Sequence, residues 1–572
     1  MNYTFETENK IVKQELSPVK VGEVSEYKLK IELESEVSPS KYSIVWHEPM
    51  IDMYGFWSSK SFQVHNLTPE WWMRKNDSRT ASGMPLACVY SKANKNRITV
   101  SLSDPANPSE IKVGVVEERG ELRFQIDLFS QICPKMKSYE VIIRIDRRPL
   151  PLHKAIKEAR EWWSSLGYTC AYVPKEARLP MYSTWYSFHQ HTIPEDIIYE
   201  CKIAKEYGMD TVIVDDGWQT DDNNRGYAFC GDWQVCQKKI PDMKLFVEEI
   251  HKLGMKFMIW FSVPYVGFES KNYERFKGKY LQNSRGTTRA GILDPRFPEV
   301  RRFLVDIYCE NVKKYNWDGL KLDFIDAFCL GDDSEADYEH MDCLSVEEGL
   351  QRLLSEAKRE LVKINPEIMI EFRQSYIGPV VGQYGNIFRV GDCPNDAIMN
   401  RIGSLDLRLT SDKIAVHSDM LMWNSDDTNE SVMYQLLAIM FSVPQISIRF
   451  DSITVEHKAI LKSFLSFWRE HSDTILDGEL TALGIDANYT LAKAQKDGES
   501  VAVLYQGVVY NAEKGETAYV FNSTGEDGIY IESKYERDYE LYDIFENKYA
   551  SGKIGAGVTK IDLKSCEMIK VK

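Results

Sequence analysis

Lys321 and Asp323 stand two residues apart in a segment, residues 317–326, that combines a charged pair with a predicted strand. An Asp-Gly turn at 318–319 leads into residues that alternate as in a short buried strand. Side chains two apart on a strand point to the same face, so this lysine and this carboxylate share one site. In a site partly closed to water, the ammonium lowers the pKa of the carboxylate, which suits a nucleophile better than a proton donor. A strand-end salt bridge without a catalytic role is the alternative interpretation.

Eight predicted strands alternate with helical segments from about residue 180 onward. The strands span residues 181–188, 211–216, 256–262, 319–324, 368–373, 387–391, 414–421 and 445–448. Helical periodicity occurs between them, for example over residues 196–207 and 297–314. Eight such units over about 300 residues have the size and rhythm of a (β/α)8 barrel, in which catalytic residues lie at the C-terminal ends of the strands.

Polar and aromatic residues occur at the C-terminal ends of seven of these strands. They are Trp185 and Tyr186 on strand one, Asp215 and Asp216 on strand two, Trp260 on strand three, Lys321 and Asp323 on strand four, Glu371 and Arg373 on strand five, Arg389 and Asp392 on strand six, and His417, Ser418 and Asp419 on strand seven. Any one of them could be an ion pair or a helix cap. Their convergence on one rim predicts a carboxylate-rich, aromatic-lined pocket, which suits hydroxyl binding and an oxocarbenium-like transition state.

The regions on either side of the predicted barrel are rich in β-strand patterns. Short alternating strands fill the first 150 residues or so, and a helix near 152–166 follows them. Short strands return after about residue 475. We therefore predict a multidomain α/β and β protein: an N-terminal β-sandwich with a linking helix (1–175), a catalytic (β/α)8 barrel (176–475) and a small C-terminal antiparallel β-sandwich (476–572).

Two aromatic segments interrupt the N-terminal strand pattern, residues 53–57 and residues 71–73. Large aromatic residues in a sandwich most often belong to its core or to a domain interface. The alternative is a loop that closes over a sugar site, because aromatic rings serve as platforms for carbohydrate. Trp57 is the better candidate for that second role, and we include it among the predicted substrate-binding residues.

Composition and charge restrict the classes of partner. The 70 Lys and Arg against 86 Asp and Glu give a formal charge of −16 without a clustered basic run, so nucleic acid is not an expected partner. The sequence starts without a basic-then-apolar signal pattern and has no apolar run of about 18 residues, so we predict a cytoplasmic protein without a membrane partner. Eleven cysteines scattered without a CxxC pair favour reduced thiols over disulfides or a zinc site.

An acidic segment at residues 331–337, followed by His340, is the one stretch that suggests a metal loop. Its carboxylates lack the spacing and the central glycine of a calcium loop. We therefore predict a solvated surface loop, and we predict neither a metal nor a cofactor for this protein.

Four short motifs, taken in order and spacing, resemble glycoside hydrolase family 36, the α-galactosidase-like enzymes of clan D. They are VDDGW at 214–218, IW at 259–260, LKLD at 320–323 and FRVGD at 388–392. The resemblance extends over essentially the whole chain and is strongest from Asp215 to Asp392. It implies a retaining enzyme on a (β/α)8 barrel between two β-domains, acting on a small-molecule or oligosaccharide substrate, and it leaves a homo-oligomer open.

The resemblance also implies roles for individual residues. Asp323 would be the nucleophile and Asp392 the acid/base. The predicted substrate contacts are Asp215, Asp216, Trp260, Lys321 and Arg389, joined by Trp185, Tyr186, Arg373 and Trp57. Residues 423–427, WNSDD, resemble the acid/base motif of longer family members, so Asp426 and also Asp396 stay open as alternatives to Asp392.

Geometry adds two expectations for this pair of carboxylates. A retaining pair lies about 5 to 5.5 Å apart, so we expect this separation between Asp323 and Asp392. A guanidinium in contact with Asp392 would lower the pKa of that carboxyl group and hinder proton donation. We therefore expect Arg389 to turn toward substrate or toward another carboxylate.

The chain departs from the family pattern after strand five. Many members have a Cys- or Gly-rich segment where this sequence has EFRQSY at 371–376, so the sugar is less defined than the reaction. We predict a retaining exo-acting α-glycosidase, first of all an α-galactosidase. The alternatives are an α-N-acetylgalactosaminidase or another α-glycosidase, a raffinose-synthase-like α-galactosyl transglycosidase, and a non-catalytic carbohydrate-binding protein.

Overall fold

The computed structural model of the protein describes residues 3–283, 288–331 and 339–572. Residues 332–337 of the acidic segment, predicted as a solvated loop, lie outside these ranges. Within them, two β-sandwiches flank a central parallel barrel, which confirms the predicted fold class. None of the described helices is both long and apolar enough to span a membrane.

The N-terminal sandwich consists of a five-stranded and a six-stranded sheet, with strand orders β1-β4-β10-β9-β6 and β2-β3-β11-β8-β7-β5. The strands are β1 (Thr4–Thr7), β2 (Ile11–Lys20), β3 (Val24–Val37), β4 (Tyr42–Pro49), β5 (Gly55–Ser58), β6 (Arg74–Ser78), β7 (Leu86–Tyr90), β8 (Asn96–Leu102), β9 (Ser109–Val116), β10 (Glu121–Leu128) and β11 (Met136–Asp146). Along β10, Phe124 and Ile126 are buried while Arg123 and Gln125 alternate with them on the outer face. The linking helix α1 (Leu152–Ser165) follows.

The barrel confirms all eight predicted strands. They are β12 (Met181–Ser183), β13 (Thr211–Val214), β14 (Lys256–Ser262), β18 (Gly319–Asp323), β19 (Met369–Arg373), β20 (Ile387–Arg389), β21 (Ala415–His417) and β22 (Gln445–Ile446), with the excursion β15 (Tyr265–Gly267), β16 (Tyr280–Gln282) and β17 (Ala290–Leu293) after the third. Neighbouring barrel strands pair in parallel. A parallel bridge between His417 and Val443 closes the ring.

Helices alternate with the barrel strands along the chain, and the last two helices follow the final strand. They are α2 (Trp185–Phe188), α3 (Pro194–Glu206), α4 (Met243–Lys252), α5 (Lys271–Arg275), α6 (Pro298–Tyr315), α7 (Val346–Ile364), α8 (Ala397–Thr410), α9 (Asn429–Ala438), α10 (Val455–Glu470) and α11 (Ser472–Asp477). The first barrel strand is shorter than predicted, because Thr184 adopts a helical backbone conformation and the chain turns into α2. Trp185 and Tyr186 therefore lie on a helical turn above the strand.

The C-terminal sandwich consists of a seven-stranded and a three-stranded sheet. Its strands are β23 (Glu479–Leu483), β24 (Leu491–Lys496), β25 (Glu499–Leu504), β26 (Val509–Ala512), β27 (Thr517–Asn522), β28 (Ile529–Ser533), β29 (Arg537–Tyr542), β30 (Lys548–Ile554), β31 (Gly557–Ile561) and β32 (Met568–Val571). Its pairings are antiparallel except for two, β25 with β27 and β26 with β28, which are parallel.

Trp57 joins the three parts of the molecule and does not cover a sugar site. Its indole is 1% exposed, and Nε1 donates to Oδ1 of Asp406 on α8 at 2.9 Å. The hydroxyl of Tyr489, from the C-terminal sandwich, donates to the same oxygen. The prediction of Trp57 as a substrate contact is therefore wrong, because its ring and its N–H are both used at a domain interface.

Candidate active site

Asp323 ends β18 and is held by donors from four directions. Its Oδ1 accepts hydrogen bonds from Arg373 Nε at 2.7 Å, from the Phe324 N–H at 2.8 Å and from the Tyr376 hydroxyl at 3.3 Å. Its Oδ2 accepts from Trp260 Nε1 at 3.0 Å. Phe324 reaches this position in the left-handed region, at φ 63°, which is a strained conformation for a bulky residue.

These donors keep Asp323 ionised in a buried position. Burial by itself raises the pKa of a carboxyl group, but the Arg373 guanidinium, the Lys321 ammonium and the Trp260 N–H together hold the pKa of Asp323 well below its usual range. The group is 6% exposed. A carboxylate that is ionised, oriented and shielded from water has the properties of a nucleophile.

An aromatic wall stands beside the Asp323 carboxylate. Tyr227 stacks on Trp260 with ring centroids 6.3 Å apart, and it meets Phe324 edge-on at 5.0 Å. Tyr265 lies face-to-face with Tyr227 at 5.0 Å. Such a wall offers apolar ring faces to the C–H face of a sugar and excludes water from the charged group.

Lys321 pairs with strand two, which differs from the direct pairing with Asp323 that the sequence suggests. Its Nζ donates to Oδ2 of Asp215 at 2.6 Å, and both side chains are about 95% buried. Burial favours the neutral amine, but Asp215 outweighs that effect, so the pKa of Lys321 is raised. Lys321 still acts on Asp323 through its charge.

Asp216 is held by two side-chain amides. Gln190 Nε2 donates to its Oδ2 at 2.7 Å and Gln219 Nε2 to its Oδ1 at 2.6 Å. Burial raises the pKa of Asp216 to about 6, although both amides oppose that shift. Asp215 and Asp216 therefore differ in charge partners, and both present acceptor oxygens of the kind that bind sugar hydroxyls.

Arg389 contacts Asp392 directly, against our expectation. Its Nη2 donates to Asp392 Oδ1 at 2.8 Å, while its Nη1 donates to Asp419 at 2.5 Å and its Nε lies 3.5 Å from Glu371. The reason is electrostatic: Arg389 is fully buried, so its charge needs carboxylate partners close by. Burial acts to raise the pKa of Asp392. The charges of Arg389 and, to a smaller extent, Lys321 outweigh burial, so the pKa of Asp392 is lowered.

Asp392 lies within reach of the charges that act on Asp323. The two alternative acid/base candidates, Asp396 and Asp426, instead form hydrogen bonds with neighbours in their own segments. The pKa of Asp392 responds to the charges of Lys321 and Asp323. Asp396 caps α8 by accepting the Met399 N–H at 2.9 Å. Asp426 lies in an exposed turn, where the Ser425 hydroxyl donates to it at 3.4 Å. The side chain of Asp392 is 54% exposed, and its contact with Arg389 is the one ion pair that the described residues show for it.

The two aromatic residues of α2 take different positions. Tyr186 donates its hydroxyl to Oδ2 of Asp419 at 2.9 Å, so it belongs to the carboxylate network behind Asp392. Burial and then the Asp419 charge raise the pKa of this hydroxyl. Trp185 is half-buried, and its ring meets His189 edge-on at 4.7 Å. Both residues are half-buried, but only the Tyr186 hydroxyl is bound to the carboxylate network.

Sequence reasoning missed several residues of this site. They are Gln190, Gln219, Tyr227, Tyr265, Phe324 and Tyr376. Gln219 follows Asp216 by three residues and Tyr376 follows Arg373 by three, so proximity to a predicted strand end was a usable signal for these two. Gln190, Tyr227 and Tyr265 come from loops or the β15 excursion, and nothing in local patterning places such residues in the pocket.

The first half of the barrel matches a known family. Residues 179–342 match the family model described as Melibiase. α-Galactosidase 1 of Pediococcus pentosaceus is 30% identical over 164 residues, which are 26% of this chain and 22% of that enzyme. The bifunctional α-galactosidase/sucrose kinase AgaSK of Mediterraneibacter gnavus is 29% identical over 152 residues, which are 25% of this chain and 16% of that protein. The matches thus cover about a fifth of the length of these relatives.

Solved structures extend the similarity to nearly the whole chain. The galactosidase domain of AgaSK has a TM-score of 0.66 at 13% identity, covering 96% of this chain and 78% of that one. The family 36 α-galactosidase AgaA of Geobacillus stearothermophilus, in complex with stachyose, has a TM-score of 0.64 at 13% identity, covering 96% and 80%. At such identities the likeness establishes the shared fold.

Proposed function

We propose, from the premise that the chain belongs to the α-galactosidase-like glycoside hydrolase family 36, that it is a retaining, exo-acting α-glycosidase that hydrolyses terminal α-linked galactose. The observation that carries the proposal is the Asp323 carboxylate, held ionised by Arg373 and Lys321 against an aromatic wall. A site that only binds sugar has no need for such a group.

Asp323 Oδ2 is the attacking atom in this proposal. Three donors occupy Oδ1, whereas among the described residues Oδ2 accepts only from Trp260, so its remaining lone pair can reach the anomeric carbon. Attack forms an ester between Oδ2 and the sugar and breaks the glycosidic bond. Asp392 gives its proton to the leaving oxygen, and it later takes a proton from the water that hydrolyses the ester.

Asp392 must separate from Arg389 before it can donate. The contact with Arg389 keeps Asp392 ionised in the free protein, which is the form needed for the second, base-catalysed step. Arg389 is fixed by Asp419 and Glu371, while the Asp392 side chain is half-exposed. We propose that Asp392 rotates toward the leaving oxygen when substrate enters, and takes up a proton as it loses the guanidinium.

Substrate and compartment complete the proposal. The AgaA structures contain stachyose and raffinose, which supports small galacto-oligosaccharides as substrates of this chain. All eleven cysteines lie in the described part of the chain as free thiols, which supports a reducing compartment such as the cytoplasm.

The experiment is a screen of aryl α-glycosides followed by stereochemistry. Galactose, N-acetylgalactosamine, glucose, xylose and arabinose derivatives are compared, and we expect the highest kcat/KM with α-galactoside. NMR then identifies the first-formed anomer from that substrate. Initial α-galactose supports double displacement, whereas initial β-galactose, or a clear preference for another sugar, contradicts the proposal.

A further inference from the structure

Trp71 and Trp72 are exposed side by side on the N-terminal sandwich. They belong to a short 3-10 turn, Glu70–Trp72, and are 72% and 76% exposed. Every other tryptophan of the described chain is buried or half-buried. Two adjacent large rings in water form an exposed apolar patch, a feature typical of interaction sites.

The groove beside these rings has a mostly apolar lining, into which the polar side chains of Arg123 and Gln125 of β10 and Lys112 of β9 are set. Arg123 Nη2 donates to Gln125 at 3.0 Å, Gln125 donates to Asp127 at 2.8 Å, and Lys112 Nζ donates to Asp127 at 2.6 Å. Planar amide and guanidinium groups next to aromatic rings suit a sugar ligand. The sugar hydroxyls form hydrogen bonds with the amide and guanidinium groups, and the C–H face of the sugar packs on the aromatic rings.

The cations of the groove are already matched by protein acceptors, which argues against a polyanionic ligand. Lys112 pairs with Asp127 and Glu110, Lys60 pairs with Asp77, and Arg74 donates to Asn66. A chain of phosphates or sulfates would have to displace these partners. Neutral hydroxyl groups instead add to such a network, since each hydroxyl both donates and accepts.

The groove is also connected to the candidate active site. Lys60 and Phe62 line it, and Ser61 between them accepts a hydrogen bond from Gln374 Nε2 at 2.9 Å. The other end of that amide, Gln374 Oε1, accepts from the N–H of Gly391 at 3.1 Å. Gly391 precedes Asp392, so hydrogen bonds link the loop that borders the groove to the neighbour of the proposed acid/base.

We propose that the groove at Trp71 and Trp72 binds neutral carbohydrate chains, namely the galactose-bearing polysaccharide or oligosaccharide that extends beyond the leaving-group side of the pocket. The choice of galactose-bearing chains rests on the proposed function. The two indoles pack against sugar rings, and Arg123 and Gln125 bind hydroxyls. The site holds a long substrate near the pocket independently of the residues that cleave it.

Affinity electrophoresis in gels that contain galactomannan tests this directly. The parent protein is Asp323→Ala, which prevents cleavage, and it is compared with the same protein carrying Trp71→Ala and Trp72→Ala. The matched control carries Tyr530→Ala, which removes an aromatic ring that is 48% exposed in the C-terminal sandwich. Thermal melting of all three verifies that each is folded.

We expect galactomannan to retard the parent and the Tyr530→Ala control alike, and the double variant to bind at least about tenfold more weakly. Equal retardation of parent and double variant, or no retardation of the parent, overturns the proposal. So does a change of sedimentation mass in the double variant without a change in retardation, which would make the surface an interface between copies of this chain. Turnover of aryl α-galactoside by the wild type is measured separately, so a failure of the proposed activity is distinguished from a failure of this site.

Discussion

Arg373 donates its Nε–H to Oδ1 of Asp323 at 2.7 Å, so the proposed nucleophile is joined directly to a guanidinium from the next strand. The guanidinium also packs over the rings of Phe324 and Tyr376, at 5.2 and 5.4 Å from their centroids. Its Nη1 donates to the carbonyl of Gln374 at 2.7 Å. Arg373 was predicted as a substrate contact. The structure shows in addition that it orients the Asp323 carboxylate and favours its ionised form.

Substitution of Arg373 should move the acid limb of the pH profile. Burial raises the pKa of Asp323, and Arg373 contributes the largest opposing effect, so its removal lets that pKa rise. Because protonated Asp323 cannot attack, the acid limb of kcat/KM should move to higher pH by about one unit or more in Arg373→Gln, and by less in the charged control Arg373→Lys. An unchanged limb in Arg373→Gln, with activity lowered evenly at every pH, would show that the contact acts only on structure.

Removal of the proposed nucleophile should abolish turnover and leave the fold intact. Asp323→Ala should lower kcat at least about 10³-fold on aryl α-galactoside, because the covalent intermediate can no longer form. Azide should restore part of the activity by attacking in place of the carboxylate and yield the β-galactosyl azide. Activity near that of the wild type without azide would remove Asp323 from its role.

Asp392→Ala should show a strong dependence on the leaving group. Activated aryl galactosides need little protonation, so their loss of kcat/KM should be at least about tenfold smaller than that of raffinose. Asp396→Ala and Asp426→Ala are matched controls, since both carboxylates bind locally in the structure. If one of these controls shows the leaving-group dependence and Asp392→Ala does not, the acid/base has been assigned to the wrong residue.

Asp406 should make the domain junction sensitive to pH. Burial raises the pKa of Asp406 to about 6, against the opposing hydrogen bonds from Tyr489 and Trp57. A carboxyl group whose pKa is higher in the folded than in the unfolded chain stabilises the fold at low pH, and that contribution is lost as pH rises from about 4 to 6. The shift corresponds to about 2 to 3 kcal/mol, at about 1.4 kcal/mol per pH unit.

The measurement is thermal melting of the wild type and of Asp406→Asn at several pH values. The asparagine keeps an acceptor for Trp57 and Tyr489 but cannot ionise. The melting temperature of the variant minus that of the wild type should therefore increase as pH rises from 4 to 7. Parallel melting curves across this range would show that Asp406 does not titrate there.

The barrel could be predicted from sequence because its strands are local signals. Buried runs such as those ending at Asp216 and Asp323 are separated by helical periodicity, and the rule for strand ends then places the polar residues on one rim. The three-dimensional partners of those residues could not be predicted. Lys321 shares a strand with Asp323, yet it pairs with Asp215, which the strand register places level with Lys321 across β14.

The errors have the same physical origin. Trp57 and Trp72 are both aromatic residues of the N-terminal sandwich. Trp57 is buried where the barrel covers it, whereas Trp72 is exposed, and the sequence does not show which surface another domain covers. Arg389 was expected to turn away from Asp392, but the buried guanidinium pairs with both Asp392 and Asp419. Long-range packing decided these cases, and local patterning carries no information about it.

The central claim is a covalent galactosyl ester on Asp323, and the most direct measurement is to trap it. A fluorinated α-galactosyl fluoride slows hydrolysis of the intermediate, and mass spectrometry of peptides from the acid-quenched protein locates the label. We expect one fluorogalactosyl group, attached to Asp323 and absent from Asp323→Ala. A label on Asp392 or on another carboxylate, or an unlabelled protein that still consumes the reagent, would contradict the account.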